Sequence, residues 1–140
     1  MARDQKLDVL HSIPLFARFG QRELLRLGQL VDEIDVPAGR VLMRQGATAD
    51  EMFVVISGTL SVERDGRLIA ELGPGDWAGE MGLLSEEPRM ATVTAQTASR
   101  LLVVGHREFH ALMDELPSVR SCILAALADR IQKLEPETAH

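Results

Sequence analysis

The chain predicts an α+β fold that is mainly β, a jelly roll or barrel with helices at both ends, and three observations carry that reading. From Arg40 to Gly105 the sequence breaks into short apolar segments, RVLMRQG, EMFVVISG, TLSVERDG, RLIAELGPGD, ATVTAQT and RLLVVG, each closed by a turn signal or a polar break. Before and after that stretch the apolar spacing is helical. The length, 140 residues, suits one domain with a substantial core, expected over residues 1–140.

The N-terminal segment, residues 1–33, reads as helical. Leu24, Leu27, Leu30 and Val31 recur at helical spacing, and Pro14 and Gly20 divide the stretch into short pieces. Asp35 to Gly39 (DVPAG) marks the change to β structure, and the roll is expected over residues 34–105. Asp65-Gly66 between two strand-like runs signals a hairpin. Gly73-Pro74-Gly75-Asp76 is a tight turn, Gly46 and Gly58 are further turn residues, and Trp77 is expected in the core, with a contact to a ligand as its lesser reading. Residues 106–135 return to helix. HREFHALMDEL forms one helix, broken at Pro117, and PSVRSCILAALADRIQKL forms a second. Val119, Ile123, Leu127, Ile131 and Leu134 share a face of that helix, widened by Leu124 and Ala128. Such a stripe covers either the roll or a second copy of itself, which makes a homodimer through the C-terminal helix one expectation.

Composition narrows the function classes. A net charge of −6 and an aromatic content of 4% disfavour a nucleic-acid surface, which needs basic residues and stacking platforms. Cys122 is the single cysteine, so an internal disulfide is excluded and a reducing, cytoplasmic setting is expected. The N-terminus lacks a signal-peptide pattern, and no window approaches a membrane span, so no membrane partner is expected.

The chemistry concentrates in GEMGLLSEEPRMATVTA, Gly79 to Ala95. A β-rich chain here interrupts itself with a Gly-Glu start and a Pro-Arg finish. Gly79 allows close approach of backbone to a ligand, and EMGLLSEE forms one or two helical turns whose first N–H groups favour an anion. The planar guanidinium of Arg89 suits phosphate oxygens. Glu80 would repel a phosphate, so its carboxylate fits a sugar hydroxyl instead. The other reading of the pair is an internal Glu80–Arg89 salt bridge. Glu86 and Glu87 are expected in a solvated loop.

These residues resemble the phosphate-binding cassette of the cyclic nucleotide-binding domain family, to which the catabolite activator protein and the regulatory subunits of protein kinase A belong. The matching positions are Gly79-Glu80-Met81-Gly82-Leu83 and Pro88-Arg89-Met90-Ala91-Thr92-Val93, residues 79–93. Further similarity lies in SIPLF, RQGATADEMFVVISGTLSV, LGPGDWAGE and the two closing helices. The resemblance implies an eight-stranded β-roll flanked by N-terminal helices and two C-terminal helices. It also implies a non-enzymatic sensor whose ligand, a cyclic nucleotide, acts through movement of those last helices on an effector protein or fused domain. Arg89 would meet the exocyclic phosphate oxygens, and Glu80 the ribose 2′-hydroxyl. Backbone N–H groups near Gly82 and Met90–Ala91 would complete the cradle that Gly79 and Met81 begin. Ala91 and Thr92 would line the pocket, and Arg130 would approach the ligand from the last helix. Relatives selective for cyclic GMP carry Thr after the cassette arginine; Met90 has no hydroxyl, which favours cyclic AMP over cyclic GMP. With no aromatic residue near the end, a lid over the base would use Arg130, Ile131 or Leu134. No basic helix-turn-helix follows, so direct DNA binding is not expected.

A cupin-like metalloenzyme needs clustered histidines on strands, but His11 precedes the roll, His106 and His110 follow it, and His140 is terminal. His106 and His110, at i and i+4 without a third ligand, read as surface or core histidines, and Cys122 as a small buried residue. A non-binding scaffold or dimerisation module of the same fold is the remaining alternative.

Overall fold

A computed structural model describes residues 3–85 and 87–134, and within it two compact units. The β-rich unit, residues 30–110, holds eight strands: β1 (Asp32–Val36), β2 (Val41–Met43), β3 (Glu51–Ser57), β4 (Leu60–Arg64), β5 (Arg67–Leu72), β6 (Trp77–Ala78), β7 (Thr92–Ala95) and β8 (Ser99–Gly105). They form two four-stranded antiparallel sheets, ordered β1-β8-β3-β6 and β2-β7-β4-β5. Alternation of side chains along each strand sends Val36, Phe53, Val55, Leu101 and Val103 of the first sheet inward. There they meet Met43, Leu60, Val93 and Ala95 of the second in one core.

Turn chemistry sets the connections. Asp65 and Gly66 both adopt positive φ, +53° and +79°, the twist a two-residue hairpin requires. Gln45 grips that hairpin tip with both ends of its amide: Nε2 donates to Asp65 Oδ1 and Oε1 accepts from Asp65 N–H. In the Gly73–Asp76 turn, Gly73 N–H donates to Asp76 Oδ2 while Asp76 N–H donates to Gly73 O. At Gly58, φ is +96°, and a Cβ would overlap the Ser99 side chain and stand 2.8 Å from the Ala98 carbonyl oxygen.

The helical unit comprises residues 1–29 and 111–140, of which those after 134 lie outside the described residues. It contains α1 (Arg3–His11), a 3-10 turn (Pro14–Phe16), α2 (Gln21–Leu30), the second half of α3 (His106–Glu115) and α4 (Pro117–Leu134). Glu23 Oε1 accepts from Gly20 N–H and caps the start of α2. Pro117 is the first residue of α4, where its missing N–H costs nothing. Leu10, Ile13, Phe16, Leu27, Leu112, Val119 and Ile123 are buried. Arg18 and Asp129 form a two-bond fork, both contacts 2.9 Å. Cys122 donates its thiol to the Arg18 carbonyl oxygen, and burial followed by the Glu23 charge raises its pKa. Among the described residues no helix is long and apolar enough to cross a membrane.

Two elements differ from the sequence reading. Asp32 and Glu33, placed in the N-terminal helical segment, begin β1 instead, because the run pairs with β8 from Asp32↔Val103 to Val36↔Ser99. Tertiary pairing outweighs the helical spacing that reaches Val31. The α4 stripe also divides: Val119 and Ile123 are buried, whereas Leu124 and Ile131 are 67% and 53% exposed. The side chain of Leu134 lies outside the described residues.

Gly58→Ala is expected to destabilise the protein by at least ~2 kcal/mol, because strained φ and overlap with Ser99 act together. The check is a drop in the urea midpoint, with Gly39→Ala, whose added Cβ meets nothing within 4 Å, falling less.

Candidate functional site

Between β6 and β7 the chain leaves the sheets for a single 3-10 turn, Glu80–Leu83, the shorter of the one or two helical turns expected after Gly79. Gly79 enters it in the left-handed region, φ +84°, a conformation L side chains rarely adopt. Gly82 N–H donates to Gly79 O at 2.9 Å, and the Leu84 and Ser85 N–H groups both donate to Met81 O. The chain then returns antiparallel to the 46–48 loop. Arg89 N–H donates to Ala47 O at 2.7 Å, Gly46 N–H donates to Arg89 O at 2.8 Å, and Thr48 bridges Pro88. This local ladder fixes the backbone on both sides of Arg89.

The side chain of Arg89 is only 7% exposed. Its Nη2 donates to the Glu51 carbonyl oxygen at 2.6 Å, and Asp50 Oδ1 lies at 4.0 Å from the same nitrogen. Nη1 fills space that two glycines leave vacant. A Cβ at Gly79 would stand 2.5 Å from it, and one at Gly82 3.1 Å. Burial pulls the guanidinium pKa down, opposed by the charges of Asp50 and Glu51. The group nevertheless stays cationic, since an arginine begins far above neutrality. Asp50 is itself 75% exposed and therefore a weak counterion.

Arg89 forms part of the wall of a cavity of about 630 Å³ that lies wholly within the β-rich unit. Gly79, Glu80, Met81, Gly82, Arg89, Met90 and Ala91 all line it. Glu80 Oε2 is buried from solvent. Thr92 is placed elsewhere: it stands in β7 with its hydroxyl accepting from Gln45 N–H at 3.0 Å, and is not among the lining residues. Arg130 lies on α4, in the helical unit. Glu87 is exposed at the cavity edge; Glu86 lies outside the described residues.

Apart from the lesser reading of Trp77, sequence reasoning did not find the far wall. Val62 of β4, Ala70 and Leu72 of β5, and Trp77 of β6 face the same space, as do Met43 and Val93 from the core. Trp77, expected in the core, is half-buried against this cavity. The alternating pattern of β4 and β5 could have indicated one shared face, but not that it looks onto empty space. The cavity lining thus joins a cation and a carboxylate, Arg89 and Glu80, to the hydrocarbon of Val62, Ala70, Leu72 and Trp77. That arrangement suits a small anion bearing a hydroxyl and a flat, largely apolar body.

Known proteins are similar to this chain over much of its length. Residues 33–115 match the family described as "Cyclic nucleotide-binding domain". The chain is 39% identical over 108 residues to a cyclic nucleotide-gated potassium channel of Mesorhizobium japonicum, covering 77% of this chain and 30% of the channel. The N-terminal domain of a transcriptional regulator from Streptomyces coelicolor A3(2) superimposes with a TM-score of 0.83 at 33% identity, covering 91% of this chain and 94% of that one. The regulatory domain of Toxoplasma gondii PKA, crystallised with cAMP, gives a TM-score of 0.73 at 32% identity, covering 79% of this chain and 44% of that one.

Glu51 supplies its carbonyl to Arg89 but keeps its carboxyl in an acidic neighbourhood. Burial raises that pKa above the usual range, as do Asp50, Glu108 and Asp32, while Arg89 opposes them. A carboxyl whose folded pKa is raised binds its proton more tightly in the fold than in the unfolded chain. It therefore takes stability away as pH rises from about 4.5 through the raised value. Glu51→Gln is expected to raise the melting temperature at pH 7 and to leave it nearly unchanged at pH 4, read by thermal melts across that range.

Proposed function

We propose that this chain, which belongs to the cyclic nucleotide-binding domain family, is a regulatory sensor whose ligand is cyclic AMP. A single observation supports this reading best. A buried guanidinium, Arg89, stands at the wall of a nucleotide-sized cavity, held by one backbone carbonyl and facing a carboxylate no nearer than 4.0 Å among the described residues. A cation so placed gains most from an anion delivered by a ligand.

In the bound state Arg89 pairs with the exocyclic oxygens of the cyclic phosphate, and backbone N–H groups of the 79–82 and 90–91 segments add further donors. Gly79 and Gly82 contribute by lacking side chains, so that the guanidinium can lie against the turn. Glu80, on the same wall, accepts from the ribose 2′-hydroxyl. The base lies along Val62, Ala70, Leu72 and Trp77, where Met90 offers no hydroxyl to guanine; hence adenine is preferred. Occupancy is signalled by movement of α3 and α4, with the break at Pro117 as the hinge. The effector is a fused domain or partner protein in the cytoplasm, and catalysis is not part of the role. The chain spans only 30% of the channel it resembles, so the output of the whole protein is a matter for its other segments.

Arg89→Ala should weaken binding of cyclic AMP by ~2–5 kcal/mol, more than about tenfold in affinity, measured by isothermal titration. Unchanged affinity in that variant would defeat the assignment. Glu80→Gln should weaken cyclic AMP while leaving its 2′-deoxy analogue almost unaffected; equal losses for both would remove Glu80 from the sugar. A thermal-shift panel with cyclic AMP, cyclic GMP and linear AMP orders the ligands, the preferred one giving the largest rise.

A further inference from the structure

We infer that His106 and His110 are positioning residues for ligand capture. Through one ring N–H each, they hold the carbonyl oxygens of Gly82 and Leu83 and so keep Gly79, Gly82 and Arg89 in their receptive arrangement. The inference rests on the reading of the cavity as a cyclic nucleotide site.

His106 Nδ1 lies 2.8 Å from Gly82 O, and His110 Nε2 lies 2.8 Å from Leu83 O. The two rings stack one helical turn apart on α3, centroids 4.1 Å and planes 33° apart. A carbonyl oxygen only accepts, so each ring must carry a proton on the named nitrogen: Nδ1–H in His106 and Nε2–H in His110. The spacing that resembled a metal site at the sequence level is therefore a pair of donors. It serves two successive carbonyls at the end of the cassette turn.

The contacts close a circuit. His106 N–H donates to Asp50 O, the next residue offers Glu51 O to Arg89 Nη2, and Arg89 Nη1 lies against Gly79 and Gly82. Gly82 O then returns to His106. A 3-10 turn has poor internal hydrogen-bond geometry, and the two glycines give it little stiffness of its own. External donors on its last carbonyls supply the stiffness, and rigidity held before binding appears as affinity. The same bonds make any shift of the first turn of α3 a shift of the cassette.

The test compares amides that match or mismatch each ring nitrogen. The side-chain amide nitrogen of Asn reaches the place of His Nδ1, and that of Gln the place of Nε2. Titrated with cyclic AMP, His106→Asn and His110→Gln should stay within about twofold of the original protein. His106→Leu, His110→Leu and the exchanged pair His106→Gln and His110→Asn should each lose about tenfold. Ligand-free melts establish that the variants fold. Leucine variants that bind as tightly as the matched amides, or exchanged amides that do as well as matched ones, overturn the inference. If the unaltered protein binds no cyclic nucleotide, the nucleotide reading fails by itself. The pair is then judged by hydrogen exchange at the Gly82, Leu84 and Ser85 N–H groups. Protection retained by the matched amides and lost in the leucine variants supports the positioning role, and equal protection refutes it.

Discussion

Arg89 carries its charge into the protein through a space that only two missing side chains leave open. Any Cβ at Gly79 or Gly82 would meet its Nη1, and at Gly79 the backbone φ of +84° would itself resist one. Taking a cation out of water is costly, and the protein returns part of that cost through the Glu51 carbonyl oxygen and the more distant charge of Asp50. Much of the neighbouring architecture follows from keeping this side chain in place. The 46–48 loop pairs with Pro88 and Arg89, β3 presents the carbonyl at its first residue, and α3 begins on Asp50 O. The local ladder is built around a charged group rather than around the apolar core.

The cavity and the core share material. Met43 and Val93 belong to the packed interior of the roll and also line the cavity, so its floor is as stiff as the core itself. β4 and β5 continue that floor across the same sheet, with Val62 paired to Val93, and their register shifts between Val62 and Glu63. Such an irregularity bends a strand and re-aims its side chains. β5 is an edge strand, with Leu68 and Ile69 half-exposed, and two polar links steady its hairpin: Gln45 to Asp65, and Arg64 Nε to Met90 O. The second link runs from the hairpin directly to the residue after Arg89. The apolar wall and the Arg89 end of the cavity are thereby joined by hydrogen bonds as well as by the sheet.

How much of this the sequence disclosed depended on whether a signal was local. The Asp65-Gly66 hairpin and the Gly73–Asp76 turn were legible because turn conformation is decided by the residues within it. The cassette was legible because glycines, an acid and an arginine at that spacing resemble a known pattern. β1 was not, since helical spacing continued to Val31 and only pairing with β8 made a strand of Asp32–Val36. Thr92 was expected to line the pocket, but the strand direction that sets its hydroxyl on Gln45 N–H is a tertiary fact. The histidines read only as surface or core residues because their partners are backbone carbonyls, which carry no mark in a sequence.

On the proposed reading a chain of net charge −6 receives an anion, which sets its surface against its ligand. The contradiction dissolves once distance and burial are considered together. Exposed carboxylates act through water and salt, and their influence fades within about 8 Å at physiological ionic strength. Arg89, at 7% exposure, acts across a medium in which a charge is far less screened. On the proposed reading the acidic surface sets the conditions of approach, and the buried guanidinium of Arg89 sets those of residence. The same division explains why Asp50 can face Arg89 without neutralising it. At 4.0 Å and three-quarters exposed, its carboxylate is largely spent on solvent, leaving the guanidinium able to take a second, better-placed anion.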